Sequence, residues 1–174
     1  MTSTWEALEK RLNAVKPPVS VFKLCTLTDV RDRYLTAKRE AEQADRQQAL
    51  LSKDADPDAR AVVEEQAKKA KAELEDAQKA YDRNTIVLRF QGLERQQLEE
   101  LLAKHPPSEH DEANGSEFAE DSFMPALIAA ASLDGMPEEA AARYMRTWTP
   151  ADARALWNAA WSVQHTQRTD LGKG

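Results

Sequence analysis

The fold is decided by residues 27–51, which read LTDVRDRYLTAKREAEQADRQQALL. Within this stretch, apolar or small residues recur at alternating steps of three and four, a heptad pattern typical of a helix that packs along one seam. The seam positions are Leu27, Val30, Tyr34, Ala37, Ala41, Ala44, Gln48 and Leu51. Because Gln48 is the one polar residue among them, the stretch predicts a long amphipathic helix.

A second helix of the same kind follows after a short polar turn. Residues 53–58, KDADPD, interrupt the pattern, and Asp56 before Pro57 is a favourable N-cap and first helical position. The next seam positions are Val63, Ala67, Ala70, Leu74, Ala77 and Tyr81. Two such stripes joined by a turn predict an antiparallel helical hairpin over 27–83. Since alanine buries little apolar area, we expect this hairpin to be weakly stabilised by itself.

Two strand-like segments bracket the hairpin. Residues 19–24 and 85–90 are rich in β-branched and aromatic side chains. Because the hairpin returns the chain to its starting point, we expect the two strands to pair with each other. Upstream of them, a short amphipathic helix ended by Pro17-Pro18 is predicted from the spacing of Trp5, Leu8, Leu12 and Val15.

The rest of the chain predicts a helical domain. We expect helices over 94–104, 122–133, 137–148 and 150–164, with Pro125 in the first turn of its helix, where proline is tolerated. The fold class is therefore mainly α with a small two-stranded β element. The predicted regions are an N-terminal helix and strand (1–26), the hairpin (27–83), a strand (84–93), a helical domain (94–165) with an exposed acidic loop (108–121), and a flexible tail (166–174).

Composition excludes several classes of protein. Five glycines in 174 residues argue against a glycine-rich phosphate loop or a dinucleotide-binding turn. Cys25 is the only cysteine, so neither an intrachain disulfide nor a zinc site built from several thiolates can form. No apolar run approaches the ~20 residues that span a bilayer, and residues 1–15 do not resemble a signal peptide. We therefore expect a protein of the cytoplasm without a membrane partner.

The net charge of −6 is unevenly distributed along the chain. Residues 94–142 contain twelve acidic side chains, and the only basic ones are Arg95 and Lys104, which gives −10 for this segment. Because an acidic surface repels phosphate backbones, nucleic acid is not expected as a partner.

The sequence contains no recognisable catalytic constellation, so we predict that the protein is not an enzyme and uses no cofactor. His105 and His110 lie near several carboxylates of the 108–121 loop, and imidazole with carboxylate can bind a divalent metal. Their spacing matches no established metal motif, so a solvated acidic loop is the preferred interpretation. The tryptophans Trp148, Trp157 and Trp161 have two interpretations, the core of a helical bundle or a partner-binding surface.

One block of sequence resembles a known family. Residues 84–107 read NTIVLRFQGLERQQLEELLAKHPP, and residues 123–130 and 136–140 read FMPALIAA and MPEEA. The order of a strand, a helix, His-Pro-Pro, an acidic linker and these helices is similar to that of tail assembly chaperones from long-tailed phages and prophages of actinobacteria. The resemblance covers residues 84–171, and the upstream hairpin fits the family more loosely.

The resemblance implies a non-catalytic function. Members of this family bind the long, apolar tape measure protein, keep it soluble and promote assembly of the tail tube. They act in the cytoplasm of the infected cell and are absent from the mature virion. The tail tube protein and a longer frameshifted form of the chain are further implied partners, and Gly172-Lys173 is compatible with a slippery coding sequence.

We therefore predict a tape-measure-binding chaperone. The candidate partner-binding residues are Tyr34, Leu51, Tyr81, Trp148, Trp157 and Trp161. Homo-oligomerisation stays open. Two alternatives remain: a structural scaffold or connector of the virion, and a metal-dependent enzyme that uses the acidic loop.

Overall fold

A computed structural model describes residues 4–51 and 54–170 of the chain. Over these residues helices dominate, and two antiparallel strands form one small sheet, which confirms the predicted fold class. The elements are α1 (Trp5–Asn13), β1 (Val19–Cys25), α2 (Thr28–Leu50), α3 (Pro57–Arg83), β2 (Thr85–Gln91), α4 (Arg95–Lys104), α5 (Glu109–Ala113), α6 (Glu120–Ala131), α7 (Glu138–Thr147), α8 (Pro150–Ser162) and a 3₁₀ turn (Val163–His165).

The chain divides into two compact units. The first, which we call the body, comprises Met1–Phe22 and Leu88–Gly174, and the second, the hairpin unit, comprises Lys23–Val87. The boundary between the units falls within both strands: β1 is divided after Phe22, and β2 is divided before Leu88.

The hairpin unit is built on a seam of small residues, as predicted. Its buried side chains on α2 and α3 are all alanines: Ala37, Ala41, Ala44, Ala67 and Ala77. The cap of α3 also forms as expected, since the Asp56 carboxylate accepts a hydrogen bond from the Asp58 N–H at 3.3 Å. The seam is shorter than the sequence pattern, because Leu27 is the N-cap of α2 and remains 45% exposed, and Gln48 is exposed.

Polar and aromatic pairs join the two helices outside the alanine seam. The rings of Tyr34 and Tyr81 stack with centroids 4.5 Å apart. Arg33 donates two hydrogen bonds to the Glu73 carboxylate, at 2.8 and 3.1 Å, and Lys71 lies 3.2 Å from Asp45. These pairs connect residues that are distant in sequence and add exposed contacts between α2 and α3 beside the buried alanines.

The body has a larger core, centred on α6. This helix is apolar on most sides and buries six of its twelve residues, because α4, α7 and α8 all pack against it. Among the residues that the structure describes, the largest fully buried side chains all belong to the body: Phe90, Phe123, Leu127, Ile128 and Leu156.

The start of β1 packs in the body with the C-terminal helices. The Gly92 N–H donates to the Pro18 carbonyl at 2.9 Å, and the Ser20 hydroxyl donates to the Ala159 carbonyl of α8. An added Cβ at Gly92 would lie 3.1 Å from Cγ of Pro18, so any larger residue would require this proline ring to shift by a few tenths of an ångström. Residues 1–26, predicted as one region, are thus shared between the two units.

The predicted loop over 108–121 is wrong in part. Residues Glu109–Ala113 form α5, because Ser108 and Asp111 make a reciprocal capping box that satisfies backbone N–H groups at the helix start. α6 begins at Glu120, two residues earlier than predicted. Pro125 consequently lies in the second turn of α6 and not in the first, where it removes one backbone hydrogen-bond donor.

The C-terminal residues 166–170 contain no helix or strand and are exposed, and the rest of the predicted flexible tail (166–174) lies outside the described residues. Gly172-Lys173 lies outside the described residues. None of the helices described is both long and apolar enough to cross a membrane.

Candidate functional site: partner-binding surfaces

Two of the predicted tryptophans belong to an aromatic cluster of the body. The rings of Trp157 and Trp161 stack at 5.2 Å, as expected for residues one helical turn apart on α8. Phe118 and Phe123 pack against both indoles, with ring centroids 5.6 to 6.1 Å away. Both tryptophans are half-buried, so most of their surface is used in packing this cluster.

Trp148 contacts a second aromatic group in the body. Trp148 is the C-cap of α7, and its ring stacks with Tyr144 of that helix at 4.7 Å and with Phe22 of β1 at 6.1 Å. Trp148 is half-buried, whereas Phe22 is buried. The side chain therefore packs the end of α7 against the first half of β1.

The three predicted residues of the hairpin unit are half-buried as well. Tyr34 and Tyr81 contact each other across the hairpin, and Leu51 is the C-cap of α2. Its neighbour Leu50 is far more accessible, with 85% of its surface exposed. The six predicted residues thus belong to separate packing groups, three residues in each unit.

The most open apolar surface of the body lies on α1. This helix has no buried residue, and the exposed fractions are 66% for Trp5, 38% for Leu8, 60% for Leu12 and 55% for Val15, which follows the helix. The sequence predicted this amphipathic helix but did not identify its face as a binding surface. The sequence contains no signal for this exposure, because an apolar stripe has the same spacing whether or not another element covers it.

Other large apolar side chains are exposed in both units. In the body, Val19 and Val21 lie on one face of β1, because successive residues of a strand point to opposite sides. The remaining ones are Leu27, Leu50, Val62, Ile86 and Val87 in the hairpin unit and Leu133 in the body.

The two histidines of the acidic segment act in local hydrogen bonds. Nδ1 of His105 lies 2.9 Å from the Ser122 hydroxyl, which connects the end of α4 to the first turn of α6. Nε2 of His110 lies 3.1 Å from Nδ2 of Asn114, one helical turn away. Among the described residues, no three His, Cys, Asp or Glu side chains converge as a metal site would require. The acidic segment therefore gives no support to the metal-dependent alternative.

Charged groups with shifted pKa values stabilise local structure. Asp134 accepts hydrogen bonds from the backbone N–H and from the guanidinium of Arg89, both at 2.7 Å, and these bonds lower the pKa of its carboxyl. The Leu133 N–H donates to the Arg89 carbonyl at 2.8 Å, so the turn after α6 is fixed to β2. In the same way, the Ser108 hydroxyl lowers the pKa of Asp111 within the capping box.

Comparison with protein-family models, curated proteins and solved structures gives no match to this chain.

Proposed function

We propose that this protein is a phage tail assembly chaperone that binds the tape measure protein, keeps it soluble and promotes assembly of the tail tube. It performs no catalysis in this role. It acts in the cytoplasm of the host cell and is absent from the finished particle. The partner is taken from the resemblance carried by residues 84–171.

The observation that carries the proposal is the open apolar face of α1, on a chain in which 31% of the residues are charged. Apolar side chains that remain exposed in a single chain are typical of a surface that binds another protein. The face is narrow and helical, so it suits a partner that exposes apolar helical segments.

The acidic character of the body supports the second part of the proposal. A complex that shields an apolar client must itself stay in solution, and a net charge far from zero opposes association between complexes. The segment 94–142, with twelve acids and two bases, supplies this charge away from α1 in the sequence.

Co-expression of the chain with the tape measure protein of the same phage or prophage tests the proposal. We expect the tape measure protein to be recovered in the soluble fraction and to co-purify with this chain, and to precipitate when it is expressed alone. Equal solubility with and without the chain, and no recovered complex, would refute the chaperone function.

Mass spectrometry of purified particles separates the proposal from a structural role. A chaperone should be missing from particles, whereas a scaffold that is retained or a connector should be found there in a fixed stoichiometry. Detection of the chain at such a level would favour the structural alternative.

A further inference from the structure

Residues 106–118 of the body form a surface loop whose two ends meet. The Ala119 N–H donates to the His105 carbonyl at 3.0 Å, so the two residues that flank the loop are hydrogen-bonded to each other. Surface loops of this length with adjoining ends are Ω-loops, which pack largely through their own side chains. We call residues 106–118 the lid.

The hydrogen bonds of the lid are almost all internal. Ser108 and Asp111 form the capping box of α5, and the Ser116 N–H donates to the Asp111 carbonyl at 2.9 Å. The exception is the Asp111 carboxylate, whose pKa is lowered mainly by Ser108 and in smaller part by a hydrogen bond from the backbone of Glu120. Among the described residues, no ion pair joins the lid to another segment. α5 buries no residue and, with five residues, is too short to remain helical by itself.

One side chain attaches the lid to the core of the body. Phe118 is the only aromatic residue of the lid, which contains no valine, isoleucine, leucine or methionine. The centroid of its ring lies 4.4 Å from that of Phe123, and 5.9 and 5.6 Å from those of Trp157 and Trp161. Phe118 therefore covers part of the aromatic cluster, and the lid has no second large apolar side chain that could hold this position.

Two features of the lid favour its opening. Gly115 adopts a φ of +79°, and no atom lies within 4 Å of a Cβ added there, so this residue regains much conformational freedom when the lid is released. The lid also contains four carboxylates and no lysine or arginine, so like charges repel each other within it. These carboxylates belong to Glu109, Asp111, Glu112 and Glu117.

We infer that the lid opens and closes as a unit while the rest of the body stays folded, and that Phe118 holds it shut. Segments with few buried contacts open locally at a lower cost than that of global unfolding. Opening removes Phe118 from the cluster and exposes more of Trp157 and Trp161 to solvent, so the lid controls access to an apolar surface of the body. The inference goes beyond the proposed function and does not depend on it, because it requires no partner.

Native-state hydrogen exchange of the full-length protein tests the inference. In the wild type, we expect the amides of residues 109–116 to be protected at least about tenfold less than those of α6 and α8. Low concentrations of urea should speed exchange in α6 and α8 far more than in the lid, because local opening exposes much less surface than global unfolding.

Two neighbouring substitutions identify the residue that holds the lid shut. Phe118→Ala should speed exchange of residues 109–116 by about tenfold or more, because the aromatic contacts are lost. Its tryptophan fluorescence should shift to longer wavelength as Trp157 and Trp161 gain contact with water. Glu117→Ala is the matched control, since Glu117 is exposed, and it should leave exchange near the wild-type rate. Phe118→Leu, which retains a smaller apolar side chain, should give an intermediate rise.

Ile128→Ala is the control for the core. Ile128 is fully buried in α6, so its truncation destabilises the body whether the lid is open or closed. Exchange in α6 and α8 should become much faster in this variant, whereas exchange of residues 109–116 should stay near the wild-type rate.

Three results would overturn the inference. Equal protection of the lid and of α6 and α8 in the wild type would mean that the lid opens only when the body unfolds. Unchanged lid exchange in Phe118→Ala, or an equal rise in Glu117→Ala, would mean that Phe118 does not hold the lid shut. A rise of lid exchange in Ile128→Ala as large as that in α6 would show that the two segments open together.

Discussion

The body and the hairpin unit differ in the size of the side chains that they bury. In the body, α6 buries large side chains such as Phe123, Leu127 and Ile128 among three other helices. In the hairpin unit, two helices of 23 and 27 residues bury alanines only. Since stabilisation scales with the apolar area removed from water, each buried residue contributes far more in the body than in the hairpin.

This difference indicates which part of the chain leaves an apolar face open. α1 contributes no buried residue to the core of the body, so its apolar side chains are accessible to a partner. In the hairpin, the two helices approach each other closely along alanines. Each helical turn therefore buries little apolar area and contributes little to stability. Tryptophan fluorescence reports on the body alone, because all four tryptophans lie in the body and none in the hairpin unit.

The largest expected effect comes from the core of the body. Phe123→Ala should lower the free energy of unfolding by about 3–5 kcal/mol, because the ring is fully buried and its removal leaves a cavity among Phe118, Trp157 and Trp161. Urea unfolding followed by tryptophan fluorescence measures this loss directly in the body.

Leu133→Ala is the matched control for that substitution. Leu133 is a large apolar residue of the same unit but is 41% exposed, so its truncation should cost well under half as much. Equal losses for the two variants would mean that α6 is not the centre of the core.

A smaller effect is expected in the alanine seam. Ala77 is fully buried, so Ala77→Leu forces α2 and α3 apart and should cost about 1–3 kcal/mol. The helical signal in circular dichroism should be lost at a lower temperature than in the wild type. If the units unfold independently, the unfolding transition reported by tryptophan fluorescence should be unchanged.

The control uses the same substitution on the same helix. Ala61 is exposed on α3, so Ala61→Leu should change stability by no more than about 0.5 kcal/mol. If Ala61→Leu destabilised the hairpin as strongly as Ala77→Leu, the seam would not lie where the alanines indicate.

Much of this contrast could be predicted from the sequence, because periodicity reports which residues face a helix partner. The heptad spacing correctly predicted the hairpin and the buried positions Ala37, Ala41 and Ala44. The β-branched and aromatic composition of two segments correctly predicted the sheet. It failed at Glu109–Ala113, where a capping box stabilises a short helix in a segment whose composition is typical of a loop. Local hydrogen bonds between Ser108 and Asp111 decide that helix, and apolar periodicity does not detect them.

The exposed apolar face of α1 was harder to predict than the fold. An apolar stripe looks the same in a sequence whether another element covers it or not, so Trp157 and Leu12 could not be distinguished. The difference depends on tertiary packing: Phe118 and Phe123 pack against Trp157, whereas α1 has no buried residue. Exposure of α1 was therefore visible only in the structure.

The two units should also differ in how their stability depends on pH. The hydrogen bonds from Arg89 lower the pKa of Asp134 in the folded body, so they stabilise the body above the ordinary pKa of aspartate. This contribution is lost as the pH falls through the lowered pKa, where the folded carboxyl takes up its proton.

Asp134→Asn removes that contribution and should lower the Tm of the body at neutral pH. The variant should also lose less stability on acidification than the wild type, as measured by tryptophan fluorescence during thermal unfolding. An identical acid dependence in both proteins would show that the contact between Asp134 and Arg89 adds nothing to stability.

The smallest effect is expected for the ion pair across the hairpin, where Arg33 forms two hydrogen bonds with Glu73. Their contact lowers the pKa of the Glu73 carboxyl, yet both side chains are nearly half exposed, so water and salt screen the attraction. A double-mutant cycle of Arg33→Ala and Glu73→Ala, followed by circular dichroism, should yield a small favourable coupling that disappears in high salt. A coupling that persists in high salt would mean that this pair, and not the alanine seam, fixes the register of α2 against α3. The hairpin unit would then differ from the body in its side-chain pairing as well as in the size of its buried residues.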